Sequence, residues 1–150
     1  MKAYSFAVDY DQPFSALIKE VPFTWVCPEI NEMCFDFVAD EQKSRAEIMD
    51  GKVFDFGAFS LENFDCIIGK LKKFGCRPGT ARELLSYCRS QRYDSLTPNK
   101  SALLVSIGSF CKAVGNGVYI LGVDIFDCEY DLNLFDLSQE VDRPVFAVRI

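Results

Sequence analysis

The sequence predicts an α+β fold, with strand-forming segments toward both ends of the chain and two adjacent helices in its middle. Two patterns carry this expectation. Short stretches in residues 1–59 and 102–150 alternate apolar with polar side chains, the period of a half-buried strand. Between them, Leu61, Phe64, Ile67, Ile68, Leu71 and Phe74 recur at helical spacing as a single apolar stripe. With 150 residues, 49% of them hydrophobic and 25% charged, the chain has the size and composition of one folded domain with a real core.

In chain order, residues 2–10 read as a strand with Tyr4, Phe6 and Val8 on one face. Gln12-Pro13 ends it, and residues 14–20 suit either a short helix or a strand. Pro22 and Pro28 bracket residues 23–27, a short strand suited to a sheet edge. Residues 34–38 alternate again, residues 40–50 read as a polar loop or an exposed helical turn, and residues 52–56 form a short strand ending at Gly57. The first helix starts at Ser60 as N-cap, carries Lys70, Lys72 and Lys73 in its last turns, and stops at Gly75. Thr80 and Glu83 have the spacing of a capping box and open the second helix, whose buried side holds Leu84, Leu85 and Cys88 and which fades near Gln91. Residues 102–107 form an apolar strand stopped by Gly108-Ser109. Gly115-Asn116-Gly117 is a turn signal, residues 118–123 and 130–135 alternate, and residues 145–150 close the chain as a strand.

Composition removes several chemistries. Histidine is absent, which excludes Ser-His-Asp and Cys-His catalysis and histidine metal sites. The seven cysteines are irregularly spaced with no Cys-x-x-Cys pair, which argues against zinc and favours reduced thiols in a cytoplasmic protein. The N-terminus has no signal-peptide pattern, and no apolar run reaches the length of a membrane span. The net charge of −6 gives no electrostatic case for nucleic acid. It is unevenly spread: residues 61–100 hold 4 acids and 8 bases, between two acidic segments.

Three phrases stand out in order. They are Arg77-Pro78-Gly79-Thr80-Ala81-Arg82-Glu83-Leu84-Leu85, Ala102-Leu103-Leu104-Val105-Ser106-Ile107-Gly108-Ser109 and Phe146-Ala147-Val148-Arg149. As an ordered set over residues 61–150 they resemble phrases of a group of small bacterial, phage and archaeal-virus proteins, reading approximately Arg-Pro-Ala-Thr-x-x-Glu-Leu-Leu, Ala-Leu-Gly-Ser and Arg-Phe-x-Ala-Val-Arg. Those proteins look like members of the C-type-lectin fold in its formylglycine-generating-enzyme-like branch, and several are variable proteins of diversity-generating retroelements. The group commonly carries a Leu-x-Leu-x-Trp strand and an Arg-Phe pair. Here Leu132-Asn133-Leu134-Phe135-Asp136 lacks the Trp, and Pro144-Val145 separates Arg143 from Phe146.

The resemblance implies a single C-type-lectin-like domain with two helices packed on short, mostly antiparallel strands. Its parts are a strand-rich region 1–59, helices in 60–91, and a display sheet with loops in 102–150. It also implies non-catalytic binding of a protein or other macromolecular ligand through a diversified C-terminal surface, with no cofactor, nucleic acid or membrane as partner. The cytoplasmic placement then extends to association with a virion or surface through a partner. Ligand contacts are expected from Phe110, Cys111, Tyr119, Leu121, Val123, Phe126, Cys128, Tyr130, Asn133, Phe135 and Asp136. Alternation sets Val118, Ile120, Leu132 and Leu134 on one face, with Tyr119, Leu121, Asp131, Asn133 and Phe135 on the other. Aromatic side chains beside hydrogen-bonding groups are common in adaptable binding sites.

Two further chemistries have weaker support. Asp124, Asp127, Glu129 and Asp131 could supply calcium ligands, but their spacing fits no known loop, so no metal is expected. Cys111 and Cys128 invite comparison with the cysteine pair of formylglycine-generating copper oxidases, but their local contexts do not match it. The remaining alternative is a fixed-partner accessory or inhibitor protein of a virus or mobile element. Glu83 and Arg149 are expected to be structural.

Overall fold

Strand β8 (Val145–Arg149) lies at the centre of the architecture because three other strands bond to it. The computed structural model describes residues 4–30, 46–90, 102–111, 117–126 and 129–150, with side chains left out at 102, 103, 125 and 126. Strands β1 (Tyr4–Asp9), β2 (Trp25–Val26), β3 (Ala46–Phe54), β5 (Ala102–Cys111), β6 (Tyr119–Phe126) and β7 (Glu129–Asp136) join β8 in one sheet of order β1-β3-β8-β5-β6-β7-β2. A short strand β4 (Cys76–Pro78) pairs with the C-terminal half of β8, while β5 runs parallel to its first residues. The other pairings are antiparallel except β2 with β7. The molecule is therefore α+β, as the sequence predicts.

Helices cover both faces of the sheet. On one face, α1 (Phe14–Glu20) and α3 (Ala81–Ser90) supply Phe14, Leu17, Leu84, Leu85 and Tyr87 to a core shared with Phe6, Val8, Leu121, Leu132 and Phe146. On the other face, α2 (Phe64–Lys73) buries Ile67 and Leu71 against Val105, Ile120, Val145 and Ala147. Of the stripe read from the sequence, Phe64, Ile67, Ile68 and Leu71 form the inner side of α2, whereas Leu61 and Phe74 lie just beyond its two ends and are exposed. A 3-10 turn (Leu61–Asn63) precedes it, with the Ser60 amide bonded to Asn63 Oδ1 at 2.7 Å. Gly75 has φ +71°, the left-handed stop that glycine allows without steric cost.

The three sequence phrases meet at β8. The Gly79 amide bonds the Phe146 carbonyl at 3.1 Å, and the Gly108 amide bonds the Gly79 carbonyl at 2.9 Å. A Cβ on Gly108 would lie 2.6 Å from that carbonyl oxygen, so the backbones approach closely only because residue 108 has no side chain. Ser109 Oγ accepts the Ala81 amide at 2.9 Å and holds the start of α3. The capping box forms as expected: the Glu83 amide bonds Thr80 Oγ1 at 3.2 Å, and the Thr80 amide bonds Glu83 Oε1 at 3.0 Å.

Several boundaries differ from the sequence reading. Strand β3 begins at Ala46, inside the segment read as loop or helical turn; its polar residues are tolerated because much of this strand lies near solvent beside β1. Strand β5 continues through Gly108-Ser109 to Cys111 with a register shift after Ser106, since these residues form a close contact with β4 rather than a stop. Residues 14–20 are helical, and only Trp25–Val26 of the expected strand 23–27 is extended, at the sheet edge. Residues 34–38 and Gly115-Asn116 lie outside the described residues.

Candidate functional site

The β6–β7 hairpin positions the candidate site. Its antiparallel register sets Tyr119 opposite Asp136, Leu121 opposite Leu134 and Val123 opposite Leu132, so these residues share one face. Ile120 with Phe135, Gly122 with Asn133 and Asp124 with Asp131 share the other. The expected facing is therefore corrected: Leu132 and Leu134 lie with Leu121, and Ile120 lies with Phe135. Alternation within one strand is sound, but matching two strands requires the register, and a shift by one residue reverses every side chain.

Burial divides the expected contacts. Cys111, Leu121, Val123 and Tyr130 are buried in the α1–α3 core and present no surface. They are apolar positions of a sheet covered on both sides, where alternation does not mark a solvent face. Cys111 is also disulfide-bonded, which corrects the expectation of reduced thiols at this position; Cys27, Cys66, Cys76 and Cys88 are free. Phe110 is half-buried against Phe64 at 5.5 Å, and Tyr119 is half-buried beside the first core. Asp136 is half-buried and accepts the Ser138 amide at 2.9 Å. Cys128 and Asp127 lie outside the described residues, as does the side chain of Phe126.

Asn133 and Phe135 remain as partners on one half-open surface, with Asp131 beside them as the sequence reading expected, joined by Asp124 and Arg143, which it did not place with them. Asn133 Nδ2 donates to Asp124 Oδ2 at 2.9 Å. Arg143, from the segment before β8, holds its guanidinium 5.5 Å from the Phe135 ring centre. Gly122 leaves the space this ring occupies, since a Cβ there would lie 2.2 Å from it. Asp124 Oδ1, Asp131 Oδ1 and Arg143 Nε are shielded from solvent and have no hydrogen-bond partner among the described residues. Two acceptors and a donor, with no partner among the described residues, thus belong to the same side of the hairpin as the Phe135 ring. Burial pushes the Asp124 carboxyl above its usual range, Arg143 and Asn133 oppose that, and Asp131 adds to it. The Asp124–Asp131 pairing was visible only as an acidic run, and Arg143 carried no signal because its approach to Phe135 is tertiary.

Among the described residues, no group of three or more His, Cys, Asp or Glu side chains is arranged to hold a metal ion. Nor is any helix among them long and apolar enough to cross a membrane. No family model, curated protein or solved structure matches the chain at a significant level. The surface can accept and donate hydrogen bonds around an apolar ring, which is the chemistry of recognition.

Proposed function

We propose that the chain is a non-catalytic ligand-binding protein that presents the β6–β7 surface on a C-type-lectin-like frame, as the variable protein of a diversity-generating retroelement. The observation that carries the reading is the shared placement of Asp124, Asp131, Asn133 and Phe135 on one face of the hairpin, with Arg143 against the ring and polar atoms that have no partner among the described residues. Such groups cost free energy until a partner satisfies them, so a ligand that docks on the half-exposed Asn133 and Phe135 and draws the shielded polar atoms into new bonds gains affinity there. The meeting of the three phrases around β8 further supports the lectin-like frame.

A second reading, a fixed-partner accessory protein, is favoured by the burial of Cys111, Leu121, Val123 and Tyr130, positions that an exchangeable surface could not vary freely. Sequencing the 3′ end of the gene and its flanks across a population separates the two. Diversification is expected as substitutions at half-exposed β6–β7 positions such as Asn133, matched by adenines in a nearby template repeat. A constant 3′ end without a repeat would rule out the retroelement role and leave fixed binding. In either case Phe135→Ala is expected to weaken the captured ligand at least tenfold; because this ring also packs against the α2-side core, Asn133→Ala, at a half-exposed position, is the companion variant, and unchanged affinity in both would remove this surface from the reading.

A further inference from the structure

The β6–β7 surface extends one strand further, to β2. That strand runs parallel to β7 at the sheet edge, and its register sets Trp25 beside Asp131, as the β6–β7 register sets Asp124 beside Asp131. Val26, the next residue, packs against the α1–α3 core with its partner Leu132. Alternation therefore turns Trp25 to the opposite face, that of the two carboxylates. Trp25 is 47% exposed. One row across three strands thus reads Asp124, Asp131, Trp25, and β7 continues the same face through Asn133 to Phe135.

The charge on this face is one-sided. Asp124 and Asp131 stand directly opposite each other across the hairpin, where like charges repel. Both residues are half-exposed, and one oxygen of each carboxylate has no hydrogen-bond partner among the described residues. Glu129, two positions before Asp131, falls on the same face and is exposed. Against these acids stands Arg143, which lies over the Phe135 ring and donates to the Asp142 carbonyl at 2.9 Å. The face therefore combines an exposed indole, a second ring and an excess of carboxylates.

We propose that the ligand of this surface is a protein segment presenting an arginine, whose guanidinium seats on the Trp25 indole beside Asp131 and Asp124. The inference rests on the binding role proposed above and names the chemistry of the partner. Indole is the best of the aromatic faces for a cation. A planar guanidinium stacks on a ring and offers five N–H donors in a fixed fork, so it can meet two carboxylates at once where a lysine ammonium is a single point charge. Charge complementarity with the acids around Trp25 selects a basic segment over an acidic one. Arg143 against Phe135 is the same pairing made within the chain. A bare calcium ion fits poorly, because two carboxylates and one side-chain amide fall short of the six to eight oxygens it takes.

Trp25 is the single tryptophan of the chain, so its fluorescence reports on this surface directly. Capped Gly-Arg-Gly, Gly-Lys-Gly and Gly-Glu-Gly peptides are titrated into the full chain. The arginine peptide is expected to quench the indole saturably in roughly the millimolar range, the lysine peptide more weakly and the glutamate peptide not at all. Added salt weakens the effect. Asp131→Asn and Asp124→Asn are each expected to weaken the arginine peptide about fivefold, and Arg143→Gln to tighten it about threefold by removing a like charge. Either aspartate variant suffices should the other fail to fold. An anionic ligand would respond to all three substitutions in the opposite sense. Saturable quenching by the glutamate peptide, an arginine affinity indifferent to the aspartate substitutions, or silence with every peptide overturns the inference. The surface itself is judged by the Asn133 and Phe135 variants, so these outcomes remove the cation without removing the site.

Discussion

Glu83 shows how much one side chain can organise. Fully buried, it accepts Arg77 in two parallel bonds of 2.8 and 2.7 Å, the Thr80 amide at 3.0 Å and the Tyr10 hydroxyl at 2.7 Å. Burial alone would raise its pKa, but the bonds and charge of Arg77, with Thr80 and Tyr10, hold it below the usual carboxylate range. The same contact pushes Tyr10 upward, burial being the larger cause. Because the folded pKa is depressed, the stabilisation is fully present above the ordinary glutamate value and is lost as pH falls through the folded value. Glu83→Gln is expected to cost about 3 kcal/mol at neutral pH, since a removed partner leaves Arg77 uncompensated. Urea unfolding should show that the gap to wild type narrows toward pH 3. A gap that stays constant with pH would show that the carboxylate charge is not what matters.

Among the elements, the junction of β4, β5 and β8 is the least tolerant of added volume. The Cβ of Gly108→Ala would meet Gly79 backbone atoms at 2.6 and 2.9 Å, and backbone bonded to β8 cannot withdraw as a side chain can. A loss of about 2–3 kcal/mol is expected, in the range of overpacked sites. Gly69→Ala is the control, because nothing lies within 4 Å of its added Cβ and a helix gains from alanine. Equal melting temperatures for the two variants would contradict the close approach. The outer edge of β1 is another element with a defined role. Arg89 bonds the Ala7 carbonyl at 3.2 Å and Arg82 reaches Asp9 and Gln12 carbonyls, so cationic side chains cap acceptors that could otherwise pair with a second strand.

The whole molecule is one sheet between two cores, and its strands link them. Ile120 and Leu121 are adjacent in β6 and fully buried on opposite faces. Ile120→Ala and Leu121→Ala are each expected to destabilise by about 2–4 kcal/mol. Both should lower a single unfolding transition, because neither core persists once the shared sheet is lost. Calorimetry that resolves two transitions, with each substitution moving only one, would show that the faces unfold independently.

The sequence by itself determined what depends on near neighbours. The capping box at Thr80 and Glu83, the stop at Gly75, the apolar stripe of α2 and the α+β class all follow from residues a few positions apart. The phrases around Arg77, Gly108 and Phe146 stood out as fixed segments, although nothing local said that they touch. Tertiary structure decided the rest, because it depends on pairing across long separations. Register placed Leu121 and Val123 in a core rather than on a display face, and a sheet covered on both sides gives alternation no outward direction. The disulfide at Cys111 and the approach of Arg143 to Phe135 depend equally on distant segments. The proposed binding surface was therefore only half legible: Asp131, Asn133 and Phe135 could be named on one face, but the approach of Asp124 and Arg143 to them is set by the fold.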